Sequence, residues 1–438
     1  MKKIYISIMV FAVMCTAVLL AEEYSLSEYL TRVERNNPDL LVMFKDIELA
    51  KSDVSLARSA FLPRAGVQGT YNRNLIERTQ SMAVASAGPG PLIFQDVRNN
   101  FDNELILGVG VSQVLYSAGA FTSYNKAKLG QAIREQSYEA ARLAFLNAAK
   151  KLYARSQLTA LVVEIRESSE KFSYEQYQRV ERRHQVGAAT EMDLLSAEVN
   201  WMTKVDAARE AKKNAELVLL AFRDLGGIPH SQPIGLTEIH THMPDVPQAP
   251  DLGSILVNRA DYRAILLSRD LTDIDRKAAR NAFFPEVTAS FSYGLVGMGN
   301  GSSFAGDYNF NTASVGISVY IPILTGGARL ARMKSAAQQQ EKAMLALSQR
   351  ETAIESELME ILLRLDDAHQ RRESSYRTVE TARRAVALAE SAYINGQATY
   401  LTVTDAQDKL DLVWLNFANI GFEYLSAYYD WELAAGIR

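Results

Sequence analysis

The amino-acid sequence repeats itself, and that duplication limits its fold more than any other feature. Ala60-Phe61-Leu62-Pro63 recurs as Ala282-Phe283-Phe284-Pro285, and Asn37-Pro38-Asp39 is answered by Arg259-Ala260-Asp261, both 222 positions later. Gly108-Val109-Gly110-Val111 with Ala118-Gly119 is answered at an offset of 208 by Gly316-Ile317-Ser318-Val319 with Gly326-Gly327. Gly187, Ala189 and Thr190 return as Gly396, Ala398 and Thr399, and Gly227 as Gly436, at an offset of 209. Blocks recurring in one order mark a structural repeat whose copies must bury their apolar faces together. The fall from 222 to 208 puts a 14-residue excess in the first copy between Pro63 and Gly119, where Gly88-Pro89-Gly90-Pro91 marks a loop. The chain thus reads as a first repeat over 22–227, a linker over 228–250 and a second repeat over 251–438. The linker holds five of the eleven prolines and cannot be helical.

Inside each repeat the hydrophobic period changes. Val287, Ala289, Phe291, Tyr293 and Leu295 alternate with Thr288, Ser290, Ser292 and Gly294, the period of a strand. Ala65, Val67, Gly69 and Tyr71 keep the same phase. Leu105, Leu107, Val109 and Val111 alternate with Gly108, Gly110 and Ser112, and their partners Ala313 to Ile321 do likewise. Each repeat therefore predicts two strands of roughly ten residues, long enough for a tilted bilayer crossing. They fall near 65–75 and 104–115, and near 287–297 and 313–323.

Long helical stretches follow, from Ala120 to near Gln185 and from Ala328 to near Asn395, without proline. About 65 residues of helix reach roughly 95 Å, far beyond a globular-domain helix. Leu158, Leu161, Ile165, Ser168 and Phe172 form a heptad seam. Glycine turns at Gly187 and Gly396 lead into returning helices with Thr190 and Thr399 as N-caps. Leu194, Ala197, Trp201, Lys204, Ala208, Ala211, Ala215, Val218 and Phe222 set one register. Its copy is Val403, Ala406, Leu410, Val413, Phe417, Ile420, Tyr424, Ala427 and Trp431.

The first 21 residues open Met-Lys-Lys, run through an apolar stretch from Ile4 to Cys15 and reach small residues at Ala17 and Ala21, the pattern of a secretory signal peptide. Cleavage removes the single cysteine and leaves 45 basic against 51 acidic groups, a charge of −6. Met14 disfavours lipidation of Cys15, since a lipoprotein signal takes a small residue there. The run is also shorter than the roughly 20 apolar residues of a membrane span, and no later segment reaches that length. Any membrane crossing must then use strands. The charge offers no bulk attraction to phosphate backbones, so no nucleic-acid partner is expected.

Four strands cannot close a barrel, and an open edge in lipid leaves main-chain groups unsatisfied at several kcal/mol each. Such a chain oligomerises or stays in water. Three copies supply twelve strands, enough to open a channel.

The duplicated order, the Ala-Phe-Leu-Pro before the first strand, the Gly-Gly after a strand and the Gly-x-Ala-Thr turns together resemble the outer-membrane efflux protein family of TolC, over nearly the whole mature chain. The resemblance implies a mixed α and β fold: a homotrimer sharing a twelve-stranded transmembrane β-barrel continuous with a long periplasmic α-helical coiled-coil barrel. It implies location in the outer membrane of a Gram-negative cell, in contact with its lipid, and docking to a periplasmic adaptor and an inner-membrane transporter for efflux or type I secretion. No enzyme activity and no cofactor are implied.

In that family the helical barrel narrows at its periplasmic tip. Carried onto this chain, Tyr393 and Asp193 match a tyrosine–acid link that holds the gate, and Asp405 matches the deeper aspartate of a pore ring. Thr402 occupies the ring's other position, and Ala398 stands where some members carry a locking arginine, which together imply a looser gate. The turns Val186-Gly187-Ala188 and Asn395-Gly396-Gln397 match the tips that adaptors grip.

Each has a plainer reading. Asp193, three residues after Thr190, stands in the capping-box position; Asp405 is equally a first-turn carboxylate; Tyr393 can pad a seam; glycine ends helices in any case. His240, His242 and His230 lack the companions of a metal site, so none is expected. Ser123 and Lys126 have the spacing of an acylation motif without its partners. Gly297-x-Gly299-x-Gly301 has no following helix and reads as a surface loop. Trp201 and Trp431 read as seam packing. The alternative function is a soluble periplasmic coiled-coil scaffold whose four strands form a small sandwich.

Overall fold

The computed structural model describes residues 22–84, 93–237, 243–247, 251–301 and 308–437. The leader, His240 and His242 lie outside them. In chain order the elements are β1 (Glu22–Tyr24), α1 (Leu26–Asn36), α2 (Pro38–Ser59), β2 (Arg64–Arg73), β3 (Thr79–Val84), β4 (Ile93–Arg98), β5 (Asn103–Ser117), α3 (Ala118–Gln185) and α4 (Glu191–Gly226). The second copy follows as β6 (Ile234–Leu236), α5 (Leu252–Asn258), α6 (Ala260–Asn281), β7 (Glu286–Gly299), β8 (Tyr308–Tyr320), α7 (Ala328–Ile394) and α8 (Tyr400–Ala434).

Two compact units cut across the repeats. One holds the described residues of Met1–Ile47, Arg134–Leu266 and Ala346–Arg438; the other holds Glu48–Ile133 and Leu267–Leu345. Both α3 and α7 contribute residues to each unit. No described helix is long and apolar enough to cross a membrane.

The second unit is built on a four-stranded antiparallel sheet in the order β2-β5-β7-β8, so the two repeats meet at the β5–β7 ladder. The excess of the first repeat, read from sequence as a loop, carries a separate antiparallel hairpin, β3 with β4. Its strands alternate too weakly in Thr79-Gln80-Ser81-Met82-Ala83 for the period to show. Gly297 and Gly299 are also not loop residues. They lie in β7, paired with Leu105 and Asn103, and only Gly301, at φ +79°, makes the turn expected of them.

The first unit is helical, with a small parallel pairing of β1 with β6 that draws the proline-rich linker in as a strand. The registers of α4 and α8 read from sequence are buried or half-buried at every position. The seam of α3 departs from a strict heptad. Leu158 and Ile165 are buried, but Ser168 is exposed and the buried line runs on through Ser169, Ser173 and Gln176. An α-helix has 3.6 residues per turn, so an unsupercoiled stretch drifts off a seven-residue repeat.

One junction shows the duplication at atomic detail. Asn37, between α1 and α2, donates from Nδ2 to the Leu225 carbonyl at 3.0 Å, near the end of α4. Arg259, between α5 and α6, donates from Nη1 to the Ala434 carbonyl at 3.1 Å, at the end of α8. Both satisfy an orphan carbonyl of a helix C-terminus with a side chain from the helix pair that opens the same repeat. Gly227 and Gly436 follow in left-handed conformation, with Ile228 and Ile437 amides closing back to Arg223 and Glu432 carbonyls at 2.8 and 2.9 Å. Against the first junction, Tyr29 stacks on Phe222 with ring centres 3.7 Å apart and donates its hydroxyl to the Phe222 carbonyl.

A Cβ on Gly227 would stand 2.8 Å from the Asn36 carbonyl oxygen at φ +60°, whereas one on Gly396, at φ +73°, meets open space. Gly396→Ala is expected to cost about 1–2 kcal/mol for the left-handed backbone alone, and Gly227→Ala clearly more; thermal unfolding followed at 222 nm ranks the two.

Asp261 receives both Arg259 Nη2 at 2.9 Å and Arg350 Nη2 at 2.7 Å. Burial pushes its carboxyl up, but the two guanidiniums outweigh burial and hold it well below the usual carboxylate range. A depressed folded value stabilises above the unfolded pKa of about 3.9 and is lost as pH falls through the folded one. The stability gap between wild type and Asp261→Asn should therefore be full at pH 7 and shrink steadily below about pH 4.

Candidate functional site

The sheet presents two chemically distinct faces. Paired positions across all four strands run Ala65–Val111–Phe291–Val315, Val67–Val109–Tyr293–Ala313 and Gly69–Leu107–Leu295–Asn311 on one face. The intervening rows, Arg64–Ser112–Ser290–Gly316, Gly66–Gly110–Ser292–Ser314 and Gln68–Gly108–Gly294–Thr312, carry glycines, hydroxyls, one amide and, at the end of β2, the guanidinium of Arg64 on the other. Strand alternation places each set on one side. The small, polar rows line a hollow of about 780 Å³. The apolar side is bare: Val67, Val315 and Ile317 are 81%, 84% and 69% exposed. Among the described residues the outer ladder edges of β2 and β8 have no strand partner. A bare apolar face and two open edges are the marks of a sheet that is completed by something else.

At the other candidate site, the helical turns, the two repeats again use one geometry. The Gly187 and Ala188 amides donate to the His184 and Arg183 carbonyls, and the Gly396 and Gln397 amides to those of Tyr393 and Ala392. This is the Schellman ending, which needs a left-handed residue; Gly187 has φ +71°. Val186, Gly187, Ala188, Asn395, Gly396 and Gln397 are all exposed at the two turns.

Behind the turns a cluster of Val180, Ala197, Ala389, Tyr393, Tyr400 and Val403 is buried. Tyr393 meets Tyr400 edge to face at 6.4 Å, and the Arg183 guanidinium lies over its ring at 4.8 Å. Burial pushes the Tyr400 phenol up. Asp193 does what the capping reading requires. Its Oδ2 accepts from the Thr190 amide at 3.1 Å and from the Thr190 hydroxyl at 2.8 Å, and its own amide donates to Thr190 Oγ1. Thr399 makes no such cap; its hydroxyl lies 3.1 Å from that of Thr402, the twin of Asp193. Within one chain the structure thus puts Tyr393 against Arg183 and Tyr400, and Asp193 in its capping box. Asp405 is exposed and accepts from Lys409 Nζ at 2.6 Å.

Two residues here were missed from sequence. Arg183 is one of three basic residues that end α3. Lys204 sits in an otherwise apolar register, and the charge at that position was the available signal.

The remaining motifs are structural. Lys126 pairs with Asp275 at 2.7 Å, and His230 lies 3.5 Å from Asp224, both exposed. Trp201 packs on Tyr174 and Tyr177, and Trp431 on Tyr428. Among the described residues no group of three His, Cys, Asp or Glu could hold a metal.

Comparisons with known proteins agree with this geometry. The family described as "Outer membrane efflux protein" matches residues 30–223 and 252–429, one block per repeat. The alkaline protease secretion protein AprF of Pseudomonas aeruginosa is 20% identical over 409 residues, covering 92% of this chain and 82% of the relative. The outer membrane efflux protein BepC of Brucella suis is 24% identical over 429 residues, covering 94% and 86%. The solved CmeC outer membrane channel of Campylobacter jejuni superposes with a TM-score of 0.79 at 19% identity, over 94% of this chain and 85% of that one. VceC of Vibrio cholerae gives 0.76 at 19% identity, over 94% and 96%.

The asymmetry of the two caps is measurable. Asp193→Ala should destabilise the start of α4 by about 0.3–1 kcal/mol, read as faster hydrogen exchange at the Thr190 amide, which loses its carboxylate acceptor, with no change at the start of α8.

Proposed function

The chain belongs to the outer membrane efflux protein family, and from that premise we propose that it is one third of a passive export duct. Three copies close a twelve-stranded barrel in the outer membrane, edge β8 of one on edge β2 of the next, with the hydroxyl- and glycine-bearing face around water and the apolar face against lipid. The observation that carries this is the four-stranded sheet with two open edges and an exposed apolar face. Closure into a barrel satisfies both at once. A soluble scaffold would leave Val67, Val315 and Ile317 in water, so the sheet favours the duct.

The family is one of channels, and the duct has no energy source of its own. A periplasmic adaptor would grip the exposed turns at Gly187 and Gly396, and an inner-membrane transporter would drive the cargo. AprF is named for protease secretion and BepC for efflux; a hydroxyl-lined, largely uncharged sheet face suits either.

Asp405, Tyr393 and Asp193 form the proposed periplasmic gate. Asp405 is solvent-exposed, and Lys409 holds it by a surface pair of the kind worth about 0–1 kcal/mol. A polyvalent cation can displace that lysine, so three such carboxylates around a pore make a cation site.

Reconstitution in planar bilayers tests the reading. Trimers should give stepwise ion conductance that polyvalent cations block from the periplasmic side, and Asp405→Asn should weaken the block while leaving the trimer intact. Protein recovered without detergent in the soluble periplasmic fraction sinks the duct; block unchanged in the variant sinks the gate assignment alone.

A further inference from the structure

Lys204 is nine-tenths buried in α4 and yet fully committed. Its Nζ donates to Asp408 Oδ1 at 2.6 Å and to Asp411 Oδ2 at 2.9 Å, both on α8. Asp411 is itself 4% exposed. Its Oδ2 also accepts from the Ser169 hydroxyl of α3 at 2.5 Å, and its Oδ1 from Gln407 Nε2 at 2.8 Å. One buried carboxylate thus ties both helices of the first hairpin to the returning helix of the second. Burial pushes the Lys204 ammonium down, but the two carboxylates together outweigh it and hold the pKa above its ordinary value, so the lysine is charged.

The duplication shows that folding does not call for this cluster. At the 209-residue offset the twins of Lys204, Asp411 and Asp408 are Val413, Met202 and Val199, and those of Ser169 and Gln407 are Thr378 and Glu198. Repeat 1 forms the same returning helix with apolar residues where repeat 2 has aspartates. Other junctions are kept in both copies, as Asn37 and Arg259 show, but this one exists once. A buried ion pair is a weak source of net stability, since desolvation consumes most of its attraction; its better-attested use is to fix one register between elements.

Its position says which register. Asp408 is one turn beyond Asp405 on the same helix face, and Asp411 lies six residues from Asp405, roughly 9 Å along the axis. The Asp408 side chain is 55% exposed, so one foot of the cluster is open to water while the other is sealed.

We propose that Lys204 is the positioning residue of the periplasmic gate: it pins the second hairpin to the first, about 20–25 Å along the helices from the turns, in the shut arrangement, and its release from Asp408 and Asp411 is a step of opening. This rests on the duct reading. Once the hairpins part, all three charges are hydrated, so the latch holds the shut register without making the opened one prohibitive. Removing only the lysine leaves Asp411 buried and uncompensated, which drives α8 away from α4 toward water.

The test is single-channel conductance in planar bilayers of wild type, Lys204→Met, Lys204→Arg, Asp408→Asn and the exchange Lys204→Asp with Asp411→Lys. Lys204→Met should raise mean conductance several-fold, Lys204→Arg should stay near wild type, and the exchange should return most of the way. A general loss of packing would not be rescued by exchanging charges. Wild-type conductance in Lys204→Met trimers overturns the proposal, and so does an exchange variant as open as Lys204→Met. Should Lys204→Met fail to form heat-modifiable trimers, the half-exposed Asp408→Asn decides instead: a rise supports the latch and no change overturns it. A conducting wild type with unresponsive variants leaves the duct standing; a wild type and variants that all fail to conduct remove both.

Discussion

The hydrogen-bonding capacity of two strand edges governs this molecule. Among the described residues the outer edges of β2 and β8 pair with no further strand, and the sheet between them is apolar on the side away from its hollow. In water the edges could be hydrated but the apolar face could not be hidden; in lipid the face is at ease but the edges are not. A closed ring of sheets meets both conditions, and the proposed trimer would supply it from three four-stranded copies. The duplication sets that number. Each repeat supplies one hairpin's worth of strands, and the β5–β7 ladder joins them into a unit with one free edge from each repeat.

The helical unit solves a different problem with the same duplication. Its two junctions, at Asn37 and Arg259, are held by side chains that satisfy helix-end carbonyls, by left-handed glycines and, at the first, by stacked aromatic rings. These contacts are local to each repeat, and Asn37 and Arg259 are themselves buried. Part-way along α3 the packing changes character. The α3 seam passes from Leu158 and Ile165 to Ser169, Ser173 and Gln176, which are buried but polar and must each find a hydrogen bond. Gln176 reaches Glu390 at 3.1 Å and Ser169 reaches Asp411, partners that belong to the second hairpin. An apolar seam tolerates sliding, whereas a polar one permits only arrangements that keep its partners. The polar stretch from Ser169 to Gln176, which precedes the apolar cluster of Val180 behind the turns, therefore favours a few discrete registers.

Much of this was legible in the sequence because period and repetition are physical signals. The alternation from Val287 to Leu295 could serve only a strand with two unlike faces, and the three-and-four steps from Val403 to Trp431 only a helix with one buried stripe. What escaped is equally instructive. The β3–β4 hairpin has too few apolar residues for a period to register, and the linker strand β6 is three residues long, paired with a β1 just as short. The drift of the α3 seam from Ser168 to Ser169 is a one-residue matter that depends on how tightly the helices supercoil. Asp193 could be placed at its cap by spacing alone, but Arg183 over Tyr393 joins residues 210 positions apart in different hairpins. No local pattern announces such a contact.

The departures from the repeat carry the sharper information about function. A duplicated chain whose halves stayed identical would present equivalent surfaces at every junction, and nothing would distinguish the hairpin that moves from the one that stays. Here the first turn has a complete capping box, Thr190 with Asp193, and the second has only the pair of hydroxyls Thr399 and Thr402. The second hairpin's returning helix carries Asp405, Asp408 and Asp411, while the first carries Ser196, Val199 and Met202 at the matching positions. One hairpin thus has the better-satisfied helix start and the lysine of the tether, and the other has the weaker start and the aspartates that lysine holds. If one hairpin serves as frame and the other as shutter, the weaker cap belongs on the shutter, because a helix whose first amides lack a side-chain partner can shift its turn at lower cost. The same asymmetry explains why the tether is ionic: once the shutter leaves, water can replace lysine at each carboxylate, which it could not do for a lost apolar contact.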